Sequence, residues 1–431
     1  MLMRILLLTQ YFSPETGAAQ QRLSDLAKRL ALFGHNVTVL TSLPNYPTGR
    51  IFDEYRGRVF SEEERDGIRI LRTWAYASSN RSFFRRLSNY FSFVFLAIWF
   101  GFWRAGKQDV VVVESPPLFL GIAGLILSRL RRVPMMLNVS DLWPESAVAM
   151  GILRNRAIIR SVSALENYLY RNSYALTGQS QGIVRDIKAR VPEIPVELIT
   201  NGVDPERFIL SAGKREEVRL QFGFGERCVA GYTGLHGLAQ DLDTVLEAAQ
   251  TLAKSNPEIC FAFFGDGPEK GRLQASAKER DLKNVCFFPP QPADTMPAIL
   301  SALDIAVVPL KNLPLFRDVL PAKLFECMAA KLPIVLAVDG EARCLLEQAN
   351  GGIYVQPEDP ATLADAIRKL SGEPSLRREL GENGSRYVFA HYDRAEIAQR
   401  FADLLPRKLK EPVLSRIDKA PVRTQSRIDS L

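Results

Sequence analysis

Short apolar runs alternate along most of the chain with stretches in which apolar residues recur every three or four positions. Residues 4–9 (RILLLT) form an apolar run that reads as a buried first strand. The run lacks the basic flank, long core and small-residue cleavage site of a secretory signal. After the loop YFSPETGAAQ, Leu23, Leu26, Ala27, Leu30 and Phe33 fall at helical spacing, and Gly34 offers a left-handed cap. Residues 37–41 return to strand. Strand, helix and strand within about forty residues make a βαβ unit, which requires a parallel sheet with a right-handed crossover. The runs 109–113 (DVVVV) and 135–139 (MMLNV) suit strands covered on both faces. A second set follows, with strands expected at 229–232, 259–264, 285–288, 305–309 and 334–338 and a helix over 241–253. The polar, turn-rich stretch NGVDPERFILSAGKREE between the sets is expected to link two domains. The fold class expected is therefore α/β: two doubly wound domains, residues 1–200 and 201–392, with ligands at the carboxyl ends of the strands. Residues 406–431 are polar, basic and without a core-forming period, and are expected to be disordered.

Composition narrows the class. A length of 431 residues exceeds what one core usually fills, and 47% hydrophobic with 24% charged residues excludes disordered and collagen-like chains. Cys228, Cys260, Cys286, Cys327 and Cys344 are widely spaced without a C-x-x-C pair, as expected of thiols in a reducing compartment. His35, His236 and His391 are too few for a histidine-rich metal centre. The net charge of +7 is uneven: up to residue 200 there are 25 basic and 16 acidic residues, beyond it 30 and 32. The basic excess lies in the first half, where nucleic acid, anionic lipid or a phosphorylated acceptor are the candidate partners.

One segment favours lipid. Residues 90–103 (YFSFVFLAIWFGFW) are apolar on every helical face, with Arg81, Arg85 and Arg86 before them and Arg104 and Lys107 after. Fourteen residues fall short of the roughly 20 that span a bilayer, so an interfacial helix on an anionic membrane is expected, with a core helix as the alternative. A second apolar patch at 118–127, ending in Arg129, Arg131 and Arg132, adds weight to the lipid reading. Nucleic acid fits poorly, because the basic segments adjoin very apolar ones and are not interleaved with isolated stacking aromatics.

Candidate chemistry sits on loops after strands. Gly17 stands where the first strand meets the first helix and would allow close approach of a diphosphate, although any βα turn uses small residues. In LPAKLFECMAAKLP, Pro321 suits a first helical turn and Lys323 occupies that turn, where a cation is unfavourable unless an anion is near. Glu326 lies on the same face, suited to accept two hydrogen bonds from a ribose diol; a Lys323–Glu326 ion pair on a solvated face is the bland alternative. Gly265 and Asp266 form a tight turn after a strand in FGDGP. Asp141, at a strand end in SDLWPES, either orients or deprotonates an acceptor hydroxyl or caps the following helix.

Together YFSPETG, GHNVTVLT, NGVD, FFGDGP, DIAVVPL and LPAKLFECMAAKLPIV, in this order, resemble the large retaining glycosyltransferase family 4 over residues 3–405. The branch most similar is that of bacterial surface-polysaccharide enzymes, including fucosamine transferases of O-antigen assembly. The resemblance implies a GT-B fold, two Rossmann-like domains facing a central cleft, the donor held mainly by the second, and a terminal helix at 393–405 crossing back to the first. It implies retention of anomeric configuration without a divalent metal or other cofactor, the nucleotide-diphosphate sugar being the co-substrate. Glu326 matches the second glutamate of the E-x7-E signature, which holds the ribose. Asp318 falls on the first, a departure. The basic pair usual after the first donor-domain strand is missing from GYTGLHGLAQD, so Lys323 is the candidate for the lost phosphate charge. The acceptor-domain histidine is replaced by Asp141. The expected site is thus Asp141 and Lys323 for catalysis, with Gly17, Gly234, Gly265, Asp266, Asp318, Lys323 and Glu326 holding the donor.

The expected activity is transfer of an N-acetylated or deoxy hexose from a UDP-sugar to a lipid-linked or polysaccharide acceptor, in the cytoplasm at the inner face of the membrane. A sugar-nucleotide epimerase of the same fold and a non-catalytic nucleotide-sugar-binding protein are the rivals.

Overall fold

A computed structural model describes residues 2–15, 17–46, 48–78 and 83–406. Arg81 and residues 407–431, for which disorder is expected, lie outside the described residues.

The first half builds an eight-stranded sheet from β1 (Arg4–Leu8), β2 (Asn36–Ser42), β3 (Phe60–Arg65), β4 (Ile68–Thr73), β5 (Val110–Ser115), β6 (Met135–Val139), β7 (Ala175–Gly178) and β8 (Val196–Leu198). Their spatial order is β3-β4-β2-β1-β5-β6-β7-β8, parallel except that β3 runs antiparallel to β4. Every residue of β5 and β6 is buried, which is why these runs carry no polar alternation. The edge strand β3 (FSEEER) is charged instead, and Glu62 and Glu63 pair with Arg69 and Arg72 of β4, so the edge is blunted against further pairing.

The second half builds a six-stranded parallel sheet from β9 (Cys228–Thr233), β10 (Ile259–Phe264), β11 (Val285–Phe288), β12 (Ile305–Pro309), β13 (Ile334–Ala337) and β14 (Gly352–Tyr354). Its order, β11-β10-β9-β12-β13-β14, reverses between β9 and β12 and opens a crevice at their carboxyl ends. The chain then returns. Asp393 caps the helix Arg394–Asp403, whose Ile397 and Phe401 share a core with Ile5, Leu23, Ala27 and Leu30 of β1 and α1 (Ala18–Leu32). Backbone bonds from Val203 N to Tyr392 O and from Arg394 N to Val203 O, both 2.9 Å, tie this return to the stretch between the sheets.

One expectation about the apolar segments needs correction, and the other segment divides between core and surface. The patch 118–127 is core: Leu118, Leu120, Ala123, Leu125 and Leu127 are buried on α3 (Leu120–Arg131) or just before it, packed with β5 and β6 residues. The run 90–103 is part of α2 (Phe83–Arg104), and its faces divide. Phe93, Val94 and Ala97 are buried against α3 and the sheet, whereas Phe91, Phe95, Trp99 and Trp103, four residues apart, stay 47 to 68% exposed. An all-apolar helix therefore has one face in the core and one outward.

The two faces should respond differently. Phe93→Ala leaves a cavity and should lower stability by about 3–5 kcal/mol, while Trp99→Ser should stay within about 0.5 kcal/mol of the parent in denaturant unfolding. Equal losses from both substitutions would place Trp99 in the core too.

Candidate active site

On the second sheet, the helix Ala322–Ala329 begins after Pro321 with Lys323 in a first turn that contains no acidic residue. Its Nζ stands 3.7 Å from the centroid of the Tyr232 ring, and a side chain on Gly234 would bring a Cβ 3.2 Å from it. Ring quadrupole and helix end pull in opposite directions on the ammonium: the ring attracts it, the helix N-terminus repels it. Burial decides the balance and pushes the lysine down to about 7. The Lys323–Glu326 ion pair is not formed; the Glu326 carboxyl, raised by burial, feels Arg394 and Arg207 ahead of Lys323.

Gly265 closes the same edge. Its φ of +143° lies in a region that favours glycine, and a Cβ there would stand 1.9 Å from the Gly234 carbonyl oxygen. The loops after β9 and β10 are stitched together by bonds from Gly234 N to Phe264 O, from His236 N to Asp266 O and from Glu269 N to His236 O, at 2.9, 2.9 and 3.0 Å. The Asp266 carboxylate accepts from Gly267 N at 2.8 Å, so this side chain shapes its own turn. His236, which the sequence reading passed over, is fully buried beside Tyr232, Phe263 and Phe287 with no partner for either ring nitrogen. Burial and then Lys270 push it down to about 4, so it is a neutral filler under the loop. Its only signal was a histidine inside a glycine-rich turn.

On the first sheet, Gly17 precedes α1 with φ of 167°, extended backbone that any residue adopts, so nothing in the chain geometry itself demands glycine there. The missed residue in this loop is Glu15. Its buried carboxylate accepts from Asn45 N, Tyr46 N and Phe12 N at 2.7, 2.8 and 3.1 Å, and burial still raises it to about 7. Asp141 follows β6. Burial raises it to about 6, against hydrogen bonds donated by the Ser146 hydroxyl and Leu142 N. The cap position of the helix Glu145–Ala149 belongs to Pro144, so Asp141 is not its N-cap. Beneath Asp141 lies a cluster in which Glu114 accepts from Arg22 Nη2 and Asn138 Nδ2, each at 2.5 Å, and from the Ser140 hydroxyl. That cluster fixes the ends of β5 and β6 and hence where Asp141 starts.

Gly234, Gly265, Asp266, Lys323 and Glu326 thus share the carboxyl edge of the second sheet, and Gly17 and Asp141 stand at the carboxyl edge of the first. Asp318 faces elsewhere: its Oδ1 accepts from Arg185 Nη2 at 3.3 Å. A cavity of ≈ 30 Å³ between α1 and the helix Arg394–Asp403, lined by Arg22, Asp25, Thr200 and Arg394, has room for water but not for a nucleotide. Among the described residues no group of three His, Cys, Asp or Glu is placed to hold a metal ion.

Residues 17–202 match the family described as "Glycosyl transferase 4-like domain", and residues 216–387 match "Glycosyl transferases group 1". The chain is 27% identical over 394 residues, 88% of its own length and 96% of the relative's, to the "Putative colanic acid biosynthesis glycosyl transferase WcaI" of Escherichia coli (strain K12). It is 26% identical over 298 residues, 66% of this chain and 73% of the relative, to the "Probable glycosyltransferase WbjE" of Pseudomonas aeruginosa. Among solved structures, Anabaena Alr3699/HepE in complex with UDP-glucose superposes with a TM-score of 0.70 at 19% identity, covering 94% of this chain and 99% of that one.

The lysine makes a measurable claim. With a free-state value near 7, Lys323 is mostly neutral at pH 8, and a bound diphosphate should recharge it. Calorimetry of a UDP ester at pH 8 in buffers of different ionisation heat should show uptake of close to one proton, and affinity should fall by up to about tenfold per pH unit above 7. Lys323→Met should lose both effects. No proton uptake in the parent protein would remove Lys323 from the phosphate site.

Proposed function

The chain belongs to the glycosyltransferases that join a glycosyl transferase 4-like domain to a group 1 domain in a GT-B fold, and from that premise we propose that it transfers a sugar from a UDP-sugar, with retention, to a lipid-linked or polysaccharide acceptor in cell-surface polysaccharide assembly. The single observation that carries the reading is the Lys323 ammonium, held at a helix start against Gly234 and Tyr232 with no carboxylate paired to it. Such a site is complete only with an anion. One relative's printed role in colanic acid biosynthesis supports the polysaccharide context, and the UDP-glucose complex of the fold neighbour supports the nucleotide.

In this reading the diphosphate lies between the start of α1 at Gly17 and the start of the helix Ala322–Ala329 at Lys323. Glu326 accepts the ribose diol, Gly234 and Gly265 let the donor approach the backbone, and Asp266 holds the turn that carries them. Asp318 meets the donor sugar once released from Arg185. The bond from the anomeric carbon to the diphosphate oxygen breaks while the acceptor oxygen bonds to that carbon on the same face. The acceptor proton passes to the leaving diphosphate, whose growing charge Lys323 and the helix dipole stabilise. Asp141 orients the acceptor hydroxyl. Lys323 and the helix ends take the charge-neutralising place a divalent metal would fill.

We place the enzyme at the inner face of the membrane. Phe91, Phe95, Trp99 and Trp103 form a stripe along the outer side of α2, which also carries the exposed Arg85 and Arg104, the latter pairing with Glu62, and is followed by the exposed Lys107. Aromatic burial supplies a salt-resistant part of the attachment and the arginines a salt-sensitive part. No helix among the described residues is long and apolar enough to cross a membrane.

The primary experiment is a panel of UDP-, GDP- and dTDP-sugars tested for binding and then for transfer to lipid-linked acceptors. Release of an altered sugar nucleotide without acceptor would favour the epimerase, and neither hydrolysis nor transfer above background the binding protein. Glu326→Ala should weaken nucleotide binding by about 1.5–3 kcal/mol in calorimetry with the thermal transition unchanged, because a charged acceptor of the ribose diol is lost. Unchanged affinity would refute its role. In liposome co-sedimentation, the protein should pellet with anionic vesicles at low salt and partly at high salt, and the folded variant Phe95→Ser with Trp99→Ser should remain in the supernatant.

A further inference from the structure

The helix Gln181–Arg190 follows β7 on the first sheet, and its first amide groups have no partner within their own helix. Ser180 Oγ accepts one of them, from Ile183 N at 3.2 Å. The next two are taken by a residue from the other half of the molecule: Glu341 Oε1 accepts from Gln181 N at 2.8 Å and Oε2 from Gly182 N at 3.1 Å. Glu341 is itself the first residue of the helix Glu341–Ala349, which follows β13. One carboxylate therefore stands between two helix N-termini, each with a positive dipole end. Without that carboxylate Gln181 N and Gly182 N would lose their acceptor.

A second contact lies beside it. A Cβ on the buried Gly182 would stand 2.1 Å from Asp318 Oδ1, so only glycine allows Asp318 this close, and Asp318 pairs with Arg185 of the same helix. The Asp318–Arg185 pair is 44% and 71% exposed at its side chains and contributes little by itself. Glu341, with two charge-assisted bonds to backbone amides, is the stronger tie. Elsewhere the halves are joined by the Val203, Tyr392 and Arg394 crossing, by the helix Arg394–Asp403 in the core of β1 and α1, and by the Arg29–Asp204 ion pair at 3.1 Å.

We propose that Glu341 is an interdomain latch: its carboxylate, seated on the start of the helix Gln181–Arg190, holds the cleft closed opposite the crossing, and its release opens the cleft for exchange of substrate and product. Glu341 is a positioning residue, acting through the approach of the Asp141 side to the Lys323 side. In the closed arrangement the Asp318–Arg185 pair is a second, weaker contact beside it. The kinetic part of this rests on the proposed transfer activity; the geometric part does not.

The test uses the full chain spin-labelled at the exposed native Cys344, on the helix Glu341–Ala349, and at Lys188→Cys on the opposing helix. Pulsed dipolar spectroscopy should give one short, narrow distance, and Glu341→Ala should lengthen and broaden it, with Glu341→Gln in between because its amide oxygen keeps one acceptor. Turnover of Glu341→Ala should fall about tenfold while affinity for UDP stays within about twofold, a split that a merely destabilised fold would not give. A distance distribution and kcat in Glu341→Ala equal to those of the parent would overturn the latch. Should Glu341→Ala not fold, an unchanged distance in Glu341→Gln would do so. If the parent protein transfers no sugar, the activity reading fails, and the distances still decide the latch.

Discussion

A parallel strand can be followed by another parallel strand only through a right-handed crossover, and that constraint puts the carboxyl ends of all such strands on one edge. Gly17, Glu114 and Asp141 end or follow β1, β5 and β6, and Gly234, Gly265, Lys323 and Glu341 follow β9, β10, β12 and β13. The residues with chemistry are far apart in sequence and together in space for this one reason. The helix Arg394–Asp403 then adds the second condition, anchoring the end of the described chain in the core of β1 and α1, so that the two edges face across a cleft.

Within that cleft the two signs of charge are treated differently. Three carboxylates of the frame are satisfied within the protein: the buried Glu15 takes three amides, the half-buried Glu341 two, and the buried Glu114 an arginine with two polar side chains. The buried ammonium of Lys323 has only an aromatic face. Desolvating a charge is far more costly than a ring quadrupole returns, which is why burial outweighs everything else acting on that lysine. These anionic groups hold the frame in place, and in the proposed site the cation is left for the donor diphosphate to complete.

This difference decides how much the sequence could reveal. The place of Lys323 and Glu326 on a helix at the edge of the second sheet was legible because a cation in a first helical turn violates a local rule, and the violation is visible within five residues. The strands were legible because runs such as VVVV and FAFF are buried on both faces and need no partner to be recognised. Glu341 was not legible, since its partner amides lie 160 and 159 positions away and any acidic residue at a helix start looks like an ordinary dipole match. Glu15 was hidden in the loop motif for the same reason. Gly17 was over-read: a glycine in a βα turn suggests backbone freedom, yet its extended φ needs none.

The burial of residues 118–127 and the divided faces of 90–103 have one physical root. Hydropathy reports how apolar a helix is, not how many of its sides meet protein. In α3 nearly all apolar positions meet α2, β5 or β6, so the helix is core. In α2 the positions at 93, 94 and 97 meet α3 and the sheet, while 91, 95, 99 and 103 stay 47 to 68% exposed, Phe91 with its ring also against Phe119. A helix that must cover α3 on one side needs apolar residues there, but nothing in the fold requires four large aromatic side chains on the other. Their presence at i, i+4 spacing on the outside, in a stretch without an acidic residue from 81 to 108, is the observation on which the proposed lipid contact rests.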